Sequence, residues 1–351
     1  MILAIESSCD ESAVALFEPE RGEIREWIHS QIPIHQNHGG VVPDLASREH
    51  TRHLPRLLSK VHWRIDKETI EYVAVTCGPG LASCLAMGIA LAKCIALEFE
   101  VPLVGVNHLR GHAYSPFIGL YQSEPESFAS RLSGYLPHLG LIVSGGNTLL
   151  FEIDKNLRLQ ILAQTVDDAA GEALDKGARL LGLGYPGGPL IEETGKPGDN
   201  KAFAFPRAFV SSGEPKFSFS GLKTSLRYRM EKVNDDKLDS LLPDLCASYQ
   251  AAVVEALTIK TKQFLDVGRF RSLGLSGGVA NNQQLRDMME GLASRFGVRF
   301  FCAEAHHTGD NASMIAFASR VDETGSVFDP DLELSFNPSL TLDASFDREK
   351  N

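Results

Sequence analysis

Apolar positions along this chain follow two rhythms. Short runs at Ile2–Ile5 and Ala13–Phe17 flank a polar turn, Glu6-Ser-Ser-Cys-Asp-Glu11, and predict strand, turn, strand, with a third strand over Glu26–Ser30. The plan returns mid-chain as Gly140–Val143, the turn Ser144-Gly-Gly-Asn-Thr148, and Leu149–Ile153. This weak repeat predicts duplicated lobes that hold a ligand on such turns. Helical spacing marks Leu45–Val61, Leu81–Leu97 and Leu245–Phe264. Asp168 is the expected N-cap of a helix reaching Leu181, with Glu172 and Lys176 paired one turn apart. Strands at Tyr72–Thr76, Leu103–Val106 and Ser272–Ser276 each precede a turn and a helix, so the class is α/β. The tail after Asp329 is polar and is expected to wrap the surface or fray.

A length of 351 residues suits two lobes with a cleft, and 43% apolar against 23% charged residues is a globular balance. The richest apolar stretch, Leu81–Phe99, is interrupted by Ser83, Gly88 and Lys93, so no membrane span and no membrane association are expected. The start, MILAIESSCDES, lacks a basic region and predicts no signal peptide. Six scattered cysteines without a CxxC pair fit a reducing compartment, and a cytoplasmic location is expected. A net charge of −11 argues against non-specific nucleic-acid binding by the whole surface. Two local basic segments stand out, Arg48–Arg56 and Lys216–Arg229.

Four small-residue turns follow predicted strands: Ser7-Ser8, Gly78-Pro-Gly80, Ser144-Gly145-Gly146 and Ser276-Gly277-Gly278. Their amides can form an anion nest, and glycine lets a ligand approach the backbone. There is no GxxxxGK[ST], so a P-loop is not supported; Gly182–Gly187 spells GxGxxG but follows a predicted helix rather than a strand, so a Rossmann site is not supported either. Asp175, ahead of Tyr185-Pro-Gly-Gly-Pro189, can accept ribose hydroxyls; the plainer alternative is a helix with a glycine stop.

His108-Leu-Arg-Gly-His112 puts two imidazoles on one helix face, a common presentation to zinc or iron. Asp310 in His307-Thr-Gly-Asp-Asn311 is the preferred third ligand, with His306 and His307 as rivals. The spacing also fits a metallopeptidase. That reading ranks low, because the glutamate a zincin needs after its first histidine is Leu109 here, followed by Arg110.

Ten blocks in order carry a family resemblance: IESSCDES (5–12), HSQIPIHQNHGGVVPDLASREH (29–50), TCGPGLAS (76–83), VGVNHLRGH (104–112), IVSGGNT (142–148), DDAAGEALDK (167–176), GLGYPGGP (182–189), FSFSGLKTS (217–225), SGGVANNQQLR (276–286) and TGDNASMIA (308–316). With them the chain resembles the TsaD family, which threonylcarbamoylates transfer RNA. The resemblance implies a two-lobed fold of the actin, Hsp70 and sugar-kinase class with a duplicated core. One lobe would comprise residues 1–109 and 303–351, the other 110–302. It implies transfer of threonylcarbamoyl from threonylcarbamoyl-AMP to the exocyclic amine of the adenosine 3′ of the anticodon. The implied metal ligands are His108, His112 and Asp310, for one divalent ion, iron or zinc. The implied nucleotide contacts are Ile142, Val143, Ser144, Gly145, Gly146, Asp175, Gly188 and Asn282, with ATP or ADP as alternative ligands. The implied partners are tRNA, a smaller TsaB-like paralogue and a TsaE-like ATPase.

Acyl transfer from a mixed anhydride needs no protein nucleophile, so orientation and charge stabilisation carry it. Asp10 and Glu11 are the candidate catalytic groups beside the reacting atoms, with Asp10 as general base. The pattern departs from the family at Arg110, usually glutamate; at Asn147, usually histidine; at TGDN (308–311), usually CTDN; and at Leu174, usually phenylalanine. Two other readings stand beside the transferase: a nucleotide-binding scaffold without transfer activity, and a small-molecule carbamoyltransferase of the same fold.

Overall fold

The computed structural model describes residues 1–61, 69–232, 235–322 and 324–345. The chain divides into two compact units, Met1–Gly134 with Lys155–Leu159 and Ala303–Asn351, and Tyr135–Asp154 with Gln160–Cys302.

The first unit runs β1 (Ile2–Glu6), β2 (Glu11–Glu18), β3 (Glu23–Ser30), α1 (Ile32–His35), α2 (Pro43–Lys60), β4 (Tyr72–Gly78), α3 (Ala82–Phe99), β5 (Leu103–Asn107), α4 (His108–Tyr114), α5 (Ile118–Ser123) and α6 (Phe128–Gly134). The second holds β6 (His138–Val143), β7 (Thr148–Ile153), β8 (Leu159–Thr165), α7 (Ala170–Leu180), α8 (Gly187–Gly195), β9 (Lys216–Phe217), α9 (Ser220–Met230), α10 (Asp235–Leu265), β10 (Ser272–Ser276), α11 (Gln283–Phe296) and β11 (Arg299–Cys302). The chain then returns to the first unit with α12 (Ala312–Val321) and β12 (Ser326–Asp329).

The repeat seen in sequence is a repeat of topology. One sheet is ordered β12-β5-β4-β1-β2-β3 and the other β11-β10-β6-β7-β8-β9. In each, an antiparallel hairpin (β1–β2; β6–β7) flanks parallel strands (β1, β4, β5; β6, β10, β11). β1 and β6 are buried along their whole length, which explains their continuous apolar runs.

The first boundary, expected at residue 109, falls instead at Gly134. The reason is packing. Tyr121 meets Phe17, Phe128 and Phe317 edge-on at 5.6, 5.1 and 5.4 Å, and its hydroxyl donates to the Pro19 carbonyl. These contacts bind α5 and α6 to β2 and α12.

Two further expectations are corrected. The N-cap of α7 is Ala169, not Asp168; the Asp168 carboxylate instead pairs with Lys176 at 2.7 Å, and Glu172 pairs with the same lysine at 2.9 Å. α10 begins ten residues before the expected Leu245, at Asp235. α3 is, by length and composition alone, apolar enough to cross a membrane. Its Cys84, Leu85, Gly88, Ile89, Ala92, Ile95 and Ala96 are buried, and the helix packs on β4 and α2, as a core helix does. The tail wraps the first unit: Asn337 N–H donates to Cys77 O, and Thr341 O accepts from Asn107 Nδ2. Residues 346–351 of that tail lie outside the described residues.

Candidate metal centre and nucleotide turns

β5 ends in Asn107, whose Oδ1 accepts the Leu109 amide and starts α4. The four-residue spacing then puts His108 and His112 on one buried face. Asp310 arrives from the turn before α12, where Asn311 caps the helix through the Met314 amide. Both histidines aim Nε2 at Asp310 Oδ1, at 3.4 Å for His108 and 3.1 Å for His112. The three ligand atoms lie within 4.8 Å of one another. Of the rival ligands, His306 is exposed and His307 is buried away from this group, its pKa lowered by burial to about 4.

Glu6 was not singled out by sequence, yet it is built into this centre. It ends β1, fully buried, and its Oε2 lies 3.1 Å from His108 Nδ1. The same oxygen accepts Thr76 Oγ1 at 2.6 Å, while Oε1 accepts the Ser8 amide. Ser8 Oγ lies 3.2 Å from the same ring nitrogen. This carboxylate–imidazole contact fixes the His108 ring with Nε2 facing Asp310, as partners of metal ligands do. The available signal was an acid closing an otherwise apolar strand.

The electrostatics call for a cation. Burial opposes charge on His108, but Asp310 and then Glu6 outweigh it and raise its pKa to about 10. Burial likewise opposes charge on Asp310, but His108 and His112 hold its carboxyl below the usual range. Two borderline nitrogens and one hard oxygen, buried and facing one point, fit a divalent transition metal.

Asp10 ends the turn from β1, and Glu11 is the first residue of β2. The Glu11 carboxyl is pushed well up, by burial and then by Asp10 and Asp310, and accepts Ser30 Oγ at 2.9 Å.

A second group, His29, Glu49 and His53, also gathers potential ligands. Its two rings stack in parallel, 3.5 Å apart and 8° from coplanar. Imidazole lone pairs lie in the ring plane, so one ion cannot meet both.

In the second unit, β6 and β10 are parallel neighbours, with Ser276 opposite Ile142. Their Ser-Gly-Gly turns therefore emerge side by side, where parallel sheets present ligand sites. Gly277 has φ +88, and a Cβ there would lie 2.4 Å from Val143 O. The first turn is closed by Ser144 N–H to Asn147 O and by Asn147 N–H to Ser144 Oγ, leaving Gly145 and Gly146 exposed. Gly171 of α7 packs on it, where a Cβ would lie 2.5 Å from Ser144 O. Ile142 and Val143 bury their side chains, so only their backbone is placed for a ligand. Asp175 Oδ1 accepts the Gly187 amide at 2.7 Å, which fixes the turn carrying Gly188. Asn282 caps α11 through the Leu285 amide and donates to Gln250 Oε1, so its side chain serves the scaffold.

The family model described as TsaD, tRNA N6-adenosine threonylcarbamoyltransferase, matches residues 23–317. The chain is 39% identical over 341 residues to the tRNA N6-adenosine threonylcarbamoyltransferase of Thermotoga neapolitana, covering 97% of this chain and 99% of that one. The chain belongs to the TsaD family. A protein of the same description from Paracidovorax citrulli is 41% identical over 98% of each chain. Among solved structures, HypF of T. kodakarensis matches 91% of this chain with a TM-score of 0.56 at 14% identity. This chain spans only 46% of that protein, and the likeness is one of fold.

The departures from the TsaD pattern now have places. Arg110 points away from the metal ligands into a buried pair with Asp322. Asn147 closes the first Ser-Gly-Gly turn through its backbone, which any residue supplies. Leu174 is buried in the core of the second unit. For Gly309 the structure offers no account beyond the Asn311 Nδ2 bond to its carbonyl.

Proposed function

We propose that this chain transfers the threonylcarbamoyl group from threonylcarbamoyl-AMP to the N6 amine of the adenosine 3′ of the anticodon. The observation that carries this reading is the buried convergence of His108, His112 and Asp310 in a member of the TsaD family. His108, His112 and Asp310 hold one divalent ion, iron or zinc. When bound, it supplies Lewis-acid stabilisation of negative charge on substrate oxygen.

The chain's own groups do the rest. Backbone amides of Ile142–Gly146, with Asp175 and Gly188, hold the adenylate, Asn282 bracing the second turn from behind, and ATP or ADP fit the same turns. The amine nitrogen bonds to the carbamoyl carbon, the carbon–oxygen bond to phosphate breaks, and AMP departs with that electron pair. Asp10 accepts the amine proton, and Glu11 lies beside it as the second acidic group of the site. No covalent enzyme intermediate is required, because AMP is already a good leaving group.

The enzyme works in the cytoplasm with a TsaB-like paralogue and a TsaE-like ATPase. Nucleoside analysis of tRNA from cells depleted of this protein tests the reading. Threonylcarbamoyladenosine should disappear, return with the wild-type gene, and stay absent with Asp310→Ala. Normal modification after depletion would remove the proposal.

A further inference from the structure

Helix α9 pairs an apolar inner side with a basic, aromatic outer one. Leu222 and Leu226 enter the core of the second unit. Gly221, Thr224, Ser225, Tyr228, Arg229 and Lys232 recur at three- and four-residue spacing and line a surface cavity of about 390 Å³. That size falls within the roughly 300–1,000 Å³ range of ligand pockets. No acid lies between Ser220 and Met230, although the whole chain carries −11.

The side chains are disposed for a polyanion that also offers flat rings. Tyr228 is 53% exposed, which leaves a ring face open to a flat partner. The Arg227 guanidinium lies 5.5 Å from its ring centroid. Arg229 is fixed against the Phe205 ring at 5.3 Å and donates to Ala204 O. Among the described residues, Lys223 and Lys232 form no ion pair, while Arg227 pairs with Glu231 at 3.7 Å.

The helix is also rigidly referenced to the nucleotide turns. Asp167, just before α7, accepts the amides of Phe219 and Ser220 at 2.9 and 3.3 Å and both serine hydroxyls, Ser218 at 2.5 Å and Ser220 at 2.7 Å. Those bonds hold its carboxyl ionised at low pH and lock the start of α9 to the helix bearing Asp175.

We infer that the outer face of α9 is an RNA-docking surface, on which Lys223 and Lys232 meet phosphates and Tyr228 stacks on an unpaired base. The inference rests on the proposed tRNA substrate and adds a place for it. It selects single-stranded or loop RNA, because paired bases hide their faces.

The test is a binding titration of an unmodified tRNA transcript with the full-length chain at several salt concentrations. Lys223→Glu with Lys232→Glu should weaken binding about tenfold or more and lower the salt slope by about one per lysine. Tyr228→Ala should weaken it about tenfold, while Tyr228→Trp should retain it. Thermal melts of each variant separate lost binding from lost folding. Wild type that fails to bind, or folded variants that bind as wild type does, overturns the inference, whether or not the variants lose an acidic protein partner. Loss of the transferase reading shows separately, as a wild-type gene that restores no modified adenosine.

Discussion

Arg110 sits between the two histidines of α4 and places Nη1 3.0 and 2.9 Å from the two carboxylate oxygens of Asp322. Both side chains are 2% exposed. Its Nε and Nη2 donate to the carbonyls of Leu342 and Ala344, so one guanidinium joins the metal helix, the end of α12 and the C-terminal tail. A carboxylate at this position could not serve this site beside Asp322.

Removing one partner of such a pair strands a buried charge. Arg110→Ala should therefore lose about 3–5 kcal/mol of stability. Denaturant unfolding of Arg110→Ala, Asp322→Asn and the double variant checks this. The double variant should be less destabilised than the sum of the singles. A loss below about 0.5 kcal/mol would show the pair to be dispensable.

Glu6 predicts a separable effect. Glu6→Gln keeps a hydrogen-bonding group beside His108 Nδ1 but removes the charge that polarises the ring. Metal affinity should fall about 10–100-fold with the fold intact. Competition against a chelator of known affinity measures this, and an unchanged affinity would deny Glu6 its orienting role.

Much of this was legible in the sequence, and the gaps have physical causes. The hairpins β1–β2 and β6–β7 were readable because a fully buried strand bounded by a polar turn resembles little else. HxxxH fixed a helix face by spacing alone, and Asp310 was placed in the cluster ahead of its rivals. Glu6 was hidden because its partner His108 is 102 residues away, and no local pattern encodes that contact. The boundary at Gly134 was missed for the same reason: Tyr121 packs on Phe17 and Phe317 from opposite ends of the chain. The cap was misplaced by one residue because the Asp168 carboxylate pairs with Lys176, two turns on, a contact the capping pattern does not encode.

Proton linkage follows from the charge arrangement. In the metal-free chain His108 has its pKa raised to about 10. Its contribution to stability is then fully present below about 6.5, the unfolded value, and is lost as pH rises through about 10. Asp310 and Glu6 are lowered, so theirs is present above the ordinary carboxylate range and lost as pH falls below it. Metal must displace the His108 proton, so binding near pH 8 should release about one proton. Calorimetry in buffers of different ionisation enthalpy reads this, and release of none would contradict the arrangement.

Gly277 offers a steric test in the second unit. A Cβ there would meet the Val143 carbonyl at 2.4 Å, and φ +88 disfavours any L side chain. Gly277→Ala should cost about 1–3 kcal/mol and lower AMP affinity by displacing the turn. Gly145→Ala, with nothing within 4 Å of its Cβ, should leave stability near wild type. Equal melting of the two variants would count against the adjacency of the turns.

The most direct measurement is transfer of labelled threonylcarbamoyl from threonylcarbamoyl-AMP to an unmodified tRNA transcript. It uses the purified chain with its TsaB-like and TsaE-like partners. The account predicts label on N6 of the adenosine 3′ of the anticodon with wild type, and a fall of at least about a hundredfold with His112→Ala or Asp310→Ala. Undiminished transfer by those variants, or none by the metal-loaded wild type, would contradict it.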